Sequence, residues 1–199
     1  LLEYELGELF DLYLNTLETL TNEDHGFEGA RYKPVTYILD EKRDAFKEKY
    51  GAYLDDVDLQ TAQSNLAAFM KRLLVMRFES SKEAFRITLQ NMIDSNLMIA
   101  RWYNDQGKVP ILKKGKIPDP DSFMDDAGDD LSNEFSEQFN ENDESKYKLL
   151  FVEKDWLKPD FIKEVEEDTR LLLSIREQWF GADKTIAELD PKLDCLVDN

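Results

Sequence analysis

The part of this chain best suited to binding is a run of basic and polar residues around a predicted turn. The residues concerned are Lys71, Arg72, Arg77, Glu79, Ser80, Ser81, Lys82 and Arg86. This clustering of positive charge stands out in so acidic a chain. The pattern also fits a plain turn between two helices, with a serine capping the second helix and Arg77 paired with Glu79. The basic cluster favours an interaction surface.

The sequence contains no recognisable catalytic motif. Two Gly-Lys pairs, at 107–108 and 115–116, lack the earlier glycine and the following hydroxyl of a phosphate-binding loop. The single His25 has no second histidine with which to bind a metal ion or activate a nucleophile. The single Cys195 cannot form an internal disulfide, and we interpret it as structural. We therefore expect this chain to be no enzyme and to bind no cofactor or metal.

Most of the negative charge lies in one segment. The net charge is −18, and residues 119–144 contain eleven acidic residues and no lysine or arginine. The pairs Asp125–Asp126 and Asp129–Asp130 offer oxygen ligands for a hard cation, but their spacing does not match a calcium loop. We interpret residues 119–144 as a solvated acidic insertion, mobile or loosely helical.

Helices must position these groups, because apolar residues recur at helical spacing along the chain. The predicted amphipathic helices cover 1–20, 58–78, 80 or 81 to 103, 158–181 and 182–199, and 40–50 is predicted to be a short charged helix. Residues 27–38 and 107–118 are predicted loops because proline and glycine interrupt them. Ser80 and Glu83 have the spacing of a capping box at the start of the third long helix.

The apolar stripes predict which residues face the core. In the first helix they are Leu2, Leu6, Leu9, Phe10, Tyr13, Leu14, Leu17 and Leu20. In the third long helix they are Phe85, Leu89, Met92, Ile93, Leu97, Ile99, Ala100 and Tyr103. Trp102, Trp156 and Trp179 would suit a recognition surface, but their helical positions favour the core. The predicted fold class is all-α: a single domain over 1–199, an antiparallel helical bundle with a long helical hairpin and the acidic insertion.

The composition also limits which kinds of partner the chain can bind. No run approaches the ~20 apolar residues of a membrane span, and the acidic first residues lack the basic region of a signal peptide. A surface of this net charge repels phosphate backbones and anionic membranes, so any contact with DNA must be local. The chain begins with leucine, and we expect it to be part of a longer protein.

Residues 73–89 resemble a stretch of bacterial superfamily 2 helicases of the Swi/Snf-related type. In that family the stretch reads Leu-x-Lys/Arg-Arg-Leu-Glu-Ser-Ser-x-x-Ala-Phe-x-x-Ser/Thr-Leu. Here Met76 stands where a basic residue is frequent, and Phe78 stands where leucine is usual. Residues 185–196 look like the Asp-x-Lys-x-x-x-Leu helix that leads into the second ATPase lobe of these proteins.

The resemblance implies a helical region between two RecA-like lobes. The parent protein would hydrolyse ATP with Mg²⁺ and translocate on or remodel DNA, and its phosphate loop, Asp-Glu motif and arginine finger would lie outside this chain. The implied partners are the two flanking lobes, and DNA through the basic cluster. The implied location is the cytoplasm, where DNA and ATP are present.

The charge pattern leaves an alternative of another class open. A free-standing acidic module would bind a basic protein, or mimic DNA, through residues 119–144. Such a module would need neither ATPase lobe.

Overall fold

Helices make up most of the structure, a computed structural model that describes residues 9–22, 24–50, 59–111 and 150–181. The described residues contain five α-helices, which are α1 (Phe10–Thr21), α2 (Arg43–Tyr50), α3 (Leu59–Ser80), α4 (Lys82–Asp105) and α5 (Asp160–Phe180). Between α4 and α5 lies a small antiparallel sheet of β1 (Lys108–Ile111) and β2 (Leu150–Glu153). The prediction of an all-α fold is confirmed.

Helices α3 and α4 form the predicted hairpin, with Ser81 as its only connecting residue. Ser81 has an extended backbone, and its hydroxyl oxygen accepts a hydrogen bond from the Ala84 N–H at 3.4 Å. The predicted capping box of Ser80 and Glu83 is wrong, because α3 continues through Ser80 and the cap falls one residue later. Glu83 binds Arg86 instead.

Helix α5 packs along α4 in the opposite direction, and this is the most extensive contact between helices. Near one end of the pair, Arg176 Nη1 donates to Gln90 Oε1 at 2.9 Å. Near the other end, the rings of Tyr103 and Phe161 lie 6.1 Å apart. The two contacts fix the antiparallel register of α4 and α5.

The core consists of two apolar clusters. The tip cluster surrounds the turn of the hairpin, where the Phe78 ring lies 4.8 Å from Phe85 and 5.1 Å from Trp179. The strand cluster lies against the sheet and includes Val109 and Phe161. Of the predicted core tryptophans, Trp179 is buried, whereas Trp102 and Trp156 are half-buried and lie at the edge of the strand cluster.

Helix α1 presents a different face from the predicted one. Phe10 and Leu14 are 52% and 46% exposed, so their predicted burial is wrong. The orientation is set by two contacts: Tyr13 stacks on Phe78 at 4.9 Å, and Thr16 Oγ1 accepts from Trp179 Nε1 at 2.8 Å. Residues 1–8 lie outside the described part of the chain.

Leu97 of α4 was also predicted to face the core, and it is 47% exposed. The adjacent Asn96 is only 1% exposed and occupies the inward position instead. A helix turns about 100° per residue, so Leu97 points away from the face that Asn96 occupies. The prediction is wrong at Leu97 alone, because the remaining stripe residues are buried or, for Ala100, half-buried: Phe85, Leu89, Met92, Ile93, Ile99, Ala100 and Tyr103.

The predicted loop over 107–118 is wrong in its first part, where β1 forms. Val109 and Ile111 are buried against the strand cluster, and Pro110 lies opposite Phe151. A two-stranded sheet consists only of edge strands, which tolerate a proline. Residues 27–38 form no named strand, as predicted, but fold into short 3₁₀ turns with one isolated bridge between Ile38 and Leu157.

Several predictions concern residues outside the described part of the chain. They are the start of a helix at residue 58, the second part of the predicted loop over 112–118, the acidic insertion 119–144 and the last helix over 182–199.

Replacing Ser81 with alanine should lower the free energy of unfolding by about 1 kcal/mol, because the Ala84 N–H at the start of α4 loses its cap. Ser80→Ala is the matched control and should change stability by less than about 0.5 kcal/mol. Urea unfolding of both variants measures the difference. A larger loss of stability in Ser80→Ala than in Ser81→Ala would show that Ser80, and not Ser81, caps α4.

Candidate functional site

The turn of the hairpin carries most of the predicted binding residues. Glu79 and Ser80 are exposed, and Arg77 is half-buried. Just beyond the turn, Arg86 holds Glu83 in a two-point ion pair, with N–O distances of 2.8 and 2.5 Å. The hydrogen bond from Arg86 lowers the pKa of Glu83. Because both side chains lie at the surface, this pair contributes little to stability.

Two of the other basic residues, Lys82 and Lys71, already have partners within the fold. Lys82 Nζ lies 5.9 Å from the ring centres of Trp179 and Phe180, where a cation is attracted by the ring faces. Lys71 Nζ donates to the backbone oxygen of Asn22 at 3.3 Å and so ties α3 to the end of α1. Arg72 is exposed.

These residues do not share one face of α3. Arg77 lies about 120° around the helix from Lys71 and about 140° from Arg72, and about 9 Å farther along the axis than Lys71. The structure therefore brings together only the residues from Arg77 to Arg86, which we call the hairpin tip. Lys71 and Arg72 lie outside it.

A second group of residues, which the apolar pattern did not reveal, lies inside the fold. Gln63 in α3, Asn96 in α4 and Asp168 in α5 are 5%, 1% and 3% exposed. Each lies on its helix between residues of the strand cluster and residues of the tip cluster. We call these three residues the polar layer, because each separates the two clusters along its own helix. The signal in the sequence is that each occupies a stripe position where an apolar residue is expected.

The carboxylate of Asp168 is the best-connected member of this layer. Its Oδ1 accepts the Glu28 N–H at 2.8 Å, and its Oδ2 accepts the Ala30 N–H at 2.9 Å. Between them, Gly29 has a left-handed backbone with φ of 67°. Successive N–H groups in such a conformation form a concave nest that binds an anion. Here the anion is a side chain of the same protein.

Gly29 is needed at this point for two reasons. A positive φ is costly for residues with a Cβ atom. A Cβ built on Gly29 would also lie 3.3 Å from Tyr32 Cδ2 and 3.4 Å from Ala67 Cβ. The segment from Glu28 to Ala30 therefore fits closely between α3 and α5.

Further hydrogen bonds fasten the rest of the 27–38 segment. Gln63 Oε1 accepts the Val35 N–H at 2.9 Å. The Tyr37 hydroxyl donates to the carboxylate of Glu164 in α5. The pKa of Tyr37 is raised mainly by burial and also by this carboxylate. Arg31 donates to the Tyr32 hydroxyl and lies 4.2 Å above its ring. The hydrogen bonds to Gln63 and Glu164 thus attach the segment to α3 and α5.

Burial raises the pKa of Asp168 to about 6, against the opposing effect of the N–H groups of Ala30, Glu28 and Gly29. A carboxyl group whose pKa is higher in the folded state favours folding most below its unfolded pKa of 3.8. That contribution is lost as the pH rises from about 4 to about 6. The loss amounts to about 3 kcal/mol, since each pKa unit corresponds to about 1.4 kcal/mol. Asp168 positions the 27–38 segment, and it is too buried to react with a solute.

Asn96 is an exception within the layer. Its Nδ2 atom is buried and has no hydrogen-bond partner among the residues that the structure describes. An unsatisfied buried donor destabilises a fold by about 1–3 kcal/mol.

The described ranges contain no group of three His, Cys, Asp or Glu side chains arranged to hold a metal ion. His25 is exposed in a turn, where its backbone N–H donates to Asn22 Oδ1 at 2.9 Å. No helix in the described ranges has both the length and the apolar character to cross a bilayer. Comparison of the chain with protein-family models, curated proteins and solved structures finds no match.

Asp168→Asn tests the buried carboxylate. Asparagine cannot ionise, so it removes the pH-dependent loss of stability. It keeps one acceptor oxygen, and its NH₂ group then faces one of the two backbone N–H donors. The native protein loses up to about 3 kcal/mol of stability between pH 4 and pH 7, and the variant should not. The difference in stability should therefore shift in favour of the variant by that amount. Urea unfolding at several pH values measures this difference.

Asp160→Asn is the matched control, because Asp160 lies on the same helix with its side chain 66% exposed. This variant measures what the same change of a carboxylate to an amide does at an exposed position of α5. Equal pH profiles for the two variants would show that Asp168 does not titrate as an isolated buried group.

Proposed function

We propose that this chain is a non-catalytic helical domain between the two ATPase lobes of a Swi/Snf-related DNA helicase or translocase. In this role it couples the orientation of the lobes, and the hairpin tip contacts a lobe or DNA. The observation that supports the proposal is that the stretch resembling the family, residues 73–89, coincides with the turn of the hairpin. Its apolar residues Phe78 and Phe85 are buried, whereas its polar residues Glu79 and Ser80 face outward.

The packing beneath the tip suits a coupling role. Phe78 is in ring contact with Tyr13 of α1, Phe85 of α4 and Trp179 of α5. Side chains from α1, α4 and α5 therefore pack against the tip. Close-packed interiors transmit a displacement because they are nearly incompressible. A lobe that binds the tip would move the whole domain with it.

The chemistry of the reaction would belong to the lobes. ATP and Mg²⁺ would bind there, and this domain would supply contacts only. The protein would act in the cytoplasm, where its DNA and nucleotide substrates are present.

Arg77→Ala in the full-length protein tests the coupling role. Loss of a contact worth about 1 kcal/mol should lower the DNA-stimulated rate of ATP hydrolysis about fivefold. The rate without DNA should stay unchanged. Steady-state phosphate release with and without duplex DNA measures both rates.

Arg170→Ala is the control, because Arg170 is an exposed arginine of α5 paired with Glu167 at 3.8 Å. It should leave both rates unchanged. Native rates in Arg77→Ala would remove the claim that the tip couples DNA binding to hydrolysis.

A second candidate rests on charge. The segment 119–144 carries eleven acidic residues and lies in the connection between β1 and β2. As a free-standing module, the chain would use it to bind a basic protein. Deleting 119–144 should then abolish that binding in a pull-down, while Arg77→Ala should not affect it. Binding that survives the deletion would eliminate this candidate.

A further inference from the structure

The end of the molecule that carries the sheet has a surface with a different character from the rest of the chain. Three lysines and three half-buried aromatic rings adjoin there, drawn from α2, α4, the two strands and the turn that follows β2. We call this group the lysine–aromatic surface; it consists of Lys49, Lys108, Lys154, Trp102, Phe151 and Trp156.

Lys108 lies at the centre of this surface. Its Nζ is 4.4 Å from the ring centre of Phe151 and 5.1 Å from that of Trp102. The two rings lie 5.3 Å apart and are tilted by 39°. An ammonium group is thus held beside two rings that are still partly open to solvent.

The other two lysines extend the surface on either side. Lys154 Nζ lies 4.5 Å from the ring centre of Tyr103. Lys49 Nζ lies 5.4 Å from the ring centre of Trp156 and 3.9 Å from Glu153 Oε1. Glu153 is the direct partner of Lys108 across the sheet and also pairs with Lys49, and Lys154 follows Glu153 in the chain.

The three lysines of this surface have different partners. Lys49 is paired with Glu153, whereas the ammonium groups of Lys108 and Lys154 lie beside aromatic rings. Lys108 and Lys154 are therefore the lysines best placed to contact a phosphate group of a ligand.

We propose that the lysine–aromatic surface binds single-stranded nucleic acid. Lysine ammonium groups would hold the phosphates, and the rings of Trp102 and Trp156 would stack against unpaired bases. An acidic peptide would satisfy the lysines but leave the rings unused, and duplex DNA hides its base faces. The proposal uses none of the hairpin-tip residues and does not depend on the helicase assignment.

Binding of fluorescein-labelled oligo(dT) to the full chain tests the proposal by anisotropy and by tryptophan quenching. With three phosphate contacts, log K should fall with log salt at a slope of about −2. Lys108→Ala should weaken binding several-fold and reduce the slope by about 0.7. Trp102→Phe and Trp156→Phe, which keep the packing, should each lose part of the quenching.

Two substitutions sharpen the test. Glu153→Gln should tighten binding, because it removes a local carboxylate and releases Lys49. Lys163→Ala should have no effect, because Lys163 is exposed on α5 and paired with Asp160. Circular dichroism and thermal unfolding confirm that each variant is folded.

Several outcomes would overturn the proposal. One is the absence of saturable binding at 100 µM chain, and another is equal affinity in Lys108→Ala and Lys163→Ala. Equal affinity for duplex DNA would rule out stacking. Binding of polyglutamate with the same dependence on Lys108 would show a site for acidic chains instead. Loss of binding in Arg77→Ala alone would move the contact to the hairpin tip.

Discussion

The structure depends on one buried carboxylate. Asp168 of α5 accepts backbone N–H groups from Glu28 and Ala30, and in doing so it attaches an irregular segment to the bundle. Without this acceptor, the backbone N–H groups of Glu28 and Ala30 would lose their partner, and an unsatisfied donor as buried as that of Ala30 is rarely tolerated in folded proteins. The segment in turn supplies Phe27 and Tyr32 to the tip cluster and Ala30 and Tyr37 to the strand cluster. The two halves of the core are therefore linked through the atoms that surround Asp168.

The polar layer works against the stability of the fold and in favour of its register. Holding Asp168 ionised in a buried site costs about 3 kcal/mol at neutral pH, and the apolar clusters on both sides must offset this. In return, the layer limits how the helices can slide. A shift of α5 by one turn would move Asp168 about 5 Å away from the nest at Gly29. The carboxylate would then be buried without the backbone N–H donors that it binds. Apolar contacts alone discriminate less strongly between neighbouring registers, since one apolar side chain replaces another.

Periodicity predicted the helices because amphipathic stripes are local. It placed α3, α4 and α5 correctly, and it predicted the hairpin from the short connection at Ser81. It did not predict β1, because Lys108–Ile111 becomes a strand only through pairing with Leu150–Glu153, which follows a long connection. Periodicity also failed to predict that Phe10 and Leu14 are exposed. The buried face of α1 is set by contacts with α3 and α5, which Tyr13 and Thr16 make. Asp168, Gln63 and Asn96 were visible in the sequence as polar residues in apolar stripes, but their partners were not.

The two surfaces to which binding is assigned lie at opposite ends of α4. Lys82 begins this helix at the hairpin tip, and Trp102 lies near its other end, about 30 Å away at 1.5 Å per residue. Asn96 and the polar layer lie between them, where α4 is packed against α5. Because α4 is one uninterrupted helix, displacement at the tip is carried along it to the lysine–aromatic surface. The 27–38 segment moves with the bundle, since both its hydrogen bonds to Asp168 and its side chains in the two apolar clusters attach it there.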